Sequence, residues 1–116
     1  MPHLIIEYAQ DLSIDDQIPI LLDVVHQAST ETGLFVESHI KIRAIPIRFY
    51  RTCGEKNTFI HAQLRIKEGR SSAQKKILST AVLTAIQSMG WSVDVITVEV
   101  VDMDSESYAK ASYDSE

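Results

Sequence analysis

The chain has 116 residues, the length of one ordinary domain, and its 45% hydrophobic and 23% charged residues fit a folded globular protein rather than a disordered or membrane-embedded one. A net charge of −5 argues against broad nucleic-acid binding, which draws on a surplus of Lys and Arg. No apolar run approaches the roughly 20 residues of a bilayer span, no basic and apolar secretory signal opens the chain, and Cys53 is the only cysteine, so no internal disulfide forms and a cytoplasmic location is expected.

From His3 to Tyr8, Leu4, Ile6 and Tyr8 alternate with His3, Ile5 and Glu7, which predicts a strand starting almost at the N-terminus. Ile18, Leu21, Leu22 and Val25 then form one helical stripe. Asp15 and Asp16 suit the positive N-terminal end of that helix, Pro19 confines its start to about Asp16–Ile18, and Gly33 supplies its stop. Between His39 and Tyr50, Ile40 and Ile42 alternate with Lys41 and Arg43. Ile45, Ile47 and Phe49 then take the opposite parity, which predicts a bulge or hairpin near Ala44, and Pro46 keeps that part off a central strand.

A turn at Thr52–Asn57, holding Cys53 as a plain loop thiol, leads to the clearest strand. There Ile60, Ala62, Leu64 and Ile66 oppose His61, Gln63 and Arg65, and the strand reaches Lys67. Ser71 and Gln74 make a capping-box pattern ahead of the stripe Leu78, Ala81, Val82, Ala85, Ile86 and Met89, which stops before Gly90. Val93 to Val101 is apolar at both parities and reads as a buried strand.

The predicted fold is α+β: two βαβ units forming a four-stranded mixed sheet, with two helices on one face. The other face is then left apolar, and a second copy of the chain is its expected cover. Residues 1–116 read as one domain, with 102–116 a polar arm or tail; its Tyr108 and Tyr113 are candidates to anchor on a neighbouring subunit.

Pro2 follows Met1 directly, so excision of Met1 would expose a secondary amine at the head of a strand. Burial and nearby cations both disfavour a charged amine, which tunes such a group toward service as a base near neutral pH. A Met-Pro start is also a common way to begin a chain. Gly69-Arg70-Ser71 joins a strand to a helix N-terminus, an anion site in outline if Arg70 is not simply solvated. Lys41 and Arg43 share one strand face, where they either line a pocket or act as edge charges that discourage aggregation. The four histidines show no metal-ligand spacing, and neither nucleotide-binding nor serine-nucleophile motifs occur, so no metal or cofactor is implied.

Met1-Pro2-His3-Leu4-Ile5-Ile6-Glu7, Thr32-Gly33-Leu34-Phe35, the Ile40–Arg43 strand, the stretch from His61 to Ser71, and Asp104 to Lys110 together resemble the 5-carboxymethyl-2-hydroxymuconate isomerases of the tautomerase superfamily. The resemblance implies a cofactor-independent homotrimer of β-α-β units acting on a small carboxylated enol or keto acid, in the breakdown of aromatic compounds. It implies Pro2 as general base and then acid. Arg70 matches the family's Gly-Arg-Ser arginine and Arg43 a basic residue late in the second strand. Lys41 stands where family members carry Arg, keeping the charge but losing the planar fork. Other superfamily activities stay open, namely phenylpyruvate tautomerase, hydratase or dehalogenase, as does a non-catalytic trimeric protein that binds an acidic metabolite.

Overall fold

The structure is a computed structural model, and residues 1–113 are described. Four strands form one sheet: β1 (His3–Ala9), β2 (Lys41–Ile47), β3 (Phe59–Lys67) and β4 (Val95–Met103), in the order β2-β1-β3-β4. β1 pairs parallel with β2 and antiparallel with β3, and β3 pairs parallel with β4. Helix α1 (Ile18–Glu31) connects β1 to β2, and helix α2 (Ser72–Gln87) connects β3 to β4. This is the expected pair of βαβ units in a mixed sheet.

Strand alternation decides which face the helices cover. Leu4, Ile6, Ile60, Ala62, Leu64 and Ile66 are fully buried and pack with Leu21 and Val25 of α1 and Leu78, Val82 and Ile86 of α2. Both helices therefore sit on this one face. Tyr8 belongs to the same set, and its hydroxyl donates to Asp15 at 2.7 Å. Burial, reinforced by that carboxylate, pushes the Tyr8 phenol up to about 12.

The helix ends follow their local chemistry. Pro19 lies in the first turn of α1, and Gly33 ends it with φ +75°. The Ser71 hydroxyl accepts from the Gln74 N–H while the Gln74 side chain accepts from the Ser71 N–H, completing the capping box of α2. The Trp91 indole N–H donates to Gln17 at 2.8 Å and ties the α2–β4 connection to the start of α1.

Three expectations are corrected. The β1–β2 ladder runs unbroken from His3↔Lys41 to Ala9↔Ile47, so no bulge or hairpin forms at Ala44. Ile45 and Ile47 simply join Lys41 and Arg43 on the face away from the helices; the parity change marks where that face turns apolar. β2 starts after a 3₁₀ turn at Glu37–His39 and ends before Phe49, whose side chain is exposed. β4 is an edge strand, shifted two residues toward the C-terminus and only partly buried along most of its length.

The third correction concerns the uncovered face, which is mixed rather than apolar. Ile5, Ile45, Ile47, Phe59, Val95 and Val101 share it with His3, Glu7, Lys41, Arg43, His61, Arg65, Lys67 and Glu99. His61 bridges Thr97 and Glu99 there, at 2.7 Å to each. Ser105 donates to Glu68, and Tyr108 docks against His3 of its own chain, while Tyr113 is exposed. Residues 114–116 of the expected tail lie outside the described residues. Among the described residues no helix is long and apolar enough to cross a membrane.

Candidate active site

Topology gathers several segments at one end of the sheet. β1 and β2 both start there, because they are parallel, and β3 ends there, because it runs against β1. The loop that precedes β2 and the loop that follows β3 are thereby brought to the same end. Pro2 heads β1, where its carbonyl accepts from the Lys41 N–H at 3.0 Å and its ring is buried. A cavity of about 170 Å³ opens beside it, with Met1, Phe35, His39, Lys67 and Arg70 among its walls.

Arg70 is held on two sides. Gly69, at φ +120°, makes the turn out of β3 that an L side chain would resist, and Arg70 follows it. Arg70 Nη2 donates to the Leu34 carbonyl at 2.6 Å, and its guanidinium lies 5.2 Å from the Phe35 ring centroid. These contacts fix the plane of the fork and leave its other donors available. Lys67, the last residue of β3, projects into the same cavity from the second side.

Met1 is attached in the structure, so the Pro2 nitrogen is an amide and the free amine is one residue away. Burial first, then Lys67, Lys110, Arg70 and Lys41, hold that Met1 amine below its ordinary value. An imino group exposed at Pro2 by loss of Met1 would stand deeper in the same surroundings, with both influences favouring the uncharged base. Among the described residues, His, Cys, Asp and Glu side chains make no group of three that could hold a metal ion.

Of the residues singled out from sequence, Pro2 and Arg70 meet in the cavity, while Lys41 and Arg43 do not line it. Lys41 is exposed, pairs with His3 in the ladder and contributes only to the field at the amine. Arg43 points along the open face and donates a long 3.4 Å hydrogen bond to His3 Nδ1. Burial, then Arg43 and Lys41, hold the His3 imidazole below its usual range.

Sequence reasoning missed Lys67, Phe35 and His39. Lys67 had a readable signal, since it continues the parity of His61, Gln63 and Arg65 to the strand end. What alternation cannot reveal is which strand end lies beside Pro2. A larger groove of about 990 Å³ runs between α1 and α2, its exposed surface mostly apolar and its charged lining residues, among those described, Asp23, Glu31 and Lys76. It gathers no base and no paired cations, so volume is a poor guide to the chemistry here.

Known proteins share this fold. The family model of 5-carboxymethyl-2-hydroxymuconate isomerase matches residues 2–105. No curated protein matches. A solved 5-carboxymethyl-2-hydroxymuconate isomerase from Deinococcus radiodurans R1 is similar at 22% identity and TM-score 0.80, covering 97% of this chain and 90% of that one. A solved 5-carboxymethyl-2-hydroxymuconate delta-isomerase is similar at 21% identity and TM-score 0.79, over 97% and 89% of the two chains. A fused 4-OT wild-type symmetric trimer is similar at 16% identity and TM-score 0.81, over 94% and 91%. With nearly the whole chain matched, the protein belongs to the 5-carboxymethyl-2-hydroxymuconate isomerase family, a family of isomerases built on the tautomerase fold.

Proposed function

We propose that the protein, once Met1 is removed, is a proline-based isomerase of carboxylated dienols or α-keto acids of the 5-carboxymethyl-2-hydroxymuconate type, in the breakdown of aromatic compounds. The observation that carries the reading is the buried Pro2 beside Arg70 and Lys67 in one small cavity. The uncharged imino nitrogen takes the proton from the enol oxygen of a dienol or from the acidic carbon of an α-keto acid, the negative charge spreads over the dienolate, and the prolinium returns the proton to another position along it, a carbon in the case of the dienol. Base and acid are one group, so no second titrating residue is required. Arg70, its plane fixed by Leu34 and Phe35, anchors the carboxylate next to the reacting carbons. Lys41 supplies positive field from the flank, and Lys41 and Arg43 reach substrate only where another copy brings them to its cavity.

The working assembly is a homotrimer. Support comes from the likeness to a solved symmetric trimer and from the sheet face that no helix covers among the described residues, which carries Ile5, Ile45, Ile47 and Val101. The unpaired, exposed Cys53 suits a reducing, cytoplasmic setting.

Stopped-flow absorbance with a 2-hydroxymuconate-type dienol tests the central step. Protein shown by intact mass to lack Met1 should ketonise it well above the buffer rate. A form that retains Met1 should lose about 10²- to 10⁴-fold, the usual contribution of a positioned acid–base group. Pro2→Ala should fall between them, because a primary amine remains. Equal rates with and without Met1 would overturn the reading.

A further inference from the structure

An acidic protein has placed a set of unopposed cations around one cavity. Among the described residues Lys56 and Lys75 have carboxylate partners, with Asp11 and Asp102, whereas Lys67 and Arg70 have none. The nearest carboxylate in sequence to Lys67, Glu68, is occupied by the N–H and hydroxyl of Ser105. A half-buried ammonium without an ion-pair partner is costly unless something else compensates it.

The compensation comes from the C-terminal segment. Lys67 Nζ lies 5.2 Å from the centroid of the Tyr108 ring, and Tyr108 is fixed in turn by His3, 2.7 Å from its hydroxyl. Arg43 can only donate to His3 Nδ1, so the ring carries its proton on Nε2 and donates to the Tyr108 oxygen. The Ser105–Glu68 bonds pin the intervening turn. Arg43, His3 and Tyr108 thus form a continuous support for the ammonium of Lys67, a wall of the cavity that holds Pro2 and Arg70.

We propose that Lys67 is a specificity-determining residue that receives the second carboxylate of a dicarboxylate substrate, with Tyr108 as its positioning residue. The inference rests on the proline-base reading and deepens it: Arg70 holds the carboxylate beside the reacting carbons, and Lys67 holds the distal one. Lys41, Arg43 and Lys110, the other basic candidates, do not line the cavity of their own chain.

Calorimetric titration of the Met1-free protein with 2-oxohexanedioate and 2-oxohexanoate, which differ only at the far end, tests this without relying on turnover. The native protein should prefer the dicarboxylate. Lys67→Met should weaken the dicarboxylate about 10- to 100-fold and leave the monocarboxylate within about twofold, erasing the preference, whereas Lys67→Arg should restore it in large part. Arg70→Ala should weaken both compounds. Tyr108→Leu should weaken the dicarboxylate selectively and raise KM with kcat held, a split that loss of a purely structural contact would not give; Tyr108→Phe, which keeps the ring, should lie closer to native. An unchanged preference in Lys67→Met, or its loss in Lys41→Met instead, would overturn the proposal while leaving Pro2 as the base. Loss of turnover with the preference intact would instead strike at the base.

Discussion

The two faces of the sheet are made from the same strands and differ in almost everything else. On the helix side, Leu4, Ile6, Ile60, Ala62, Leu64 and Ile66 have no solvent exposure and pack into one apolar cluster. On the other side, one residue further along each strand, apolar and charged groups alternate in patches. The cations Lys41, Arg43, Arg65 and Lys67 gather at the Pro2 end, and among the described residues none of them forms an ion pair. The carboxylates Glu7 and Glu99 stand further along, on either side of His61. The first face carries the folding free energy, which frees the second to hold a charge separation and, in the proposed trimer, an interface.

Two substitutions break that comparison from opposite sides. Ile45→Asp on the open face should have the larger effect. Ile45 stands opposite Glu7 in the ladder and is 39% exposed in the single chain. Burying a carboxylate there on assembly, unpaired and beside a like charge, should cost roughly 3–5 kcal/mol for each copy. Light scattering should read three chains per particle for the native protein and one for the variant, with the circular dichroism spectrum kept. A native monomer, or a trimer indifferent to the change, would mean that this face is not the interface.

Leu64→Ala on the helix face should act on the fold instead. Leu64 is fully buried in the central strand β3, so truncation loses its transfer free energy and leaves a cavity, about 2–5 kcal/mol in all. Urea denaturation followed by tryptophan fluorescence measures it, Trp91 being the sole reporter. A loss below about 1 kcal/mol would show that the helix face is not where stability resides.

How much of this was readable in the sequence depends on whether the information is local. The alternation in β3, the Ser71–Gln74 capping box and the Gly33 stop are each set within a few residues, and all three formed as read. Pro2 and Arg70 were readable because each announces itself locally, one as an N-terminal proline and the other at a strand-to-helix turn. The parity change after Ala44 was misread because an apolar residue on an uncovered face looks, in one strand, like a register error. Lys67 stayed hidden for a different reason: its place beside Pro2 follows from the antiparallel pairing of β1 with β3, a relation between residues far apart in the chain. The docking of Tyr108 on His3 is equally non-local.

The most direct test is to follow the Pro2 nitrogen itself, by ¹⁵N NMR of Met1-free protein labelled at proline, alongside the pH dependence of kcat/KM. Burial and the surrounding cations disfavour the protonated form, so the nitrogen should titrate below the ordinary α-amino value of 8.0, and activity should rise with pH through that same titration to a plateau. A nitrogen that titrates at or above 8.0, with activity following some other group, would contradict Pro2 as the base.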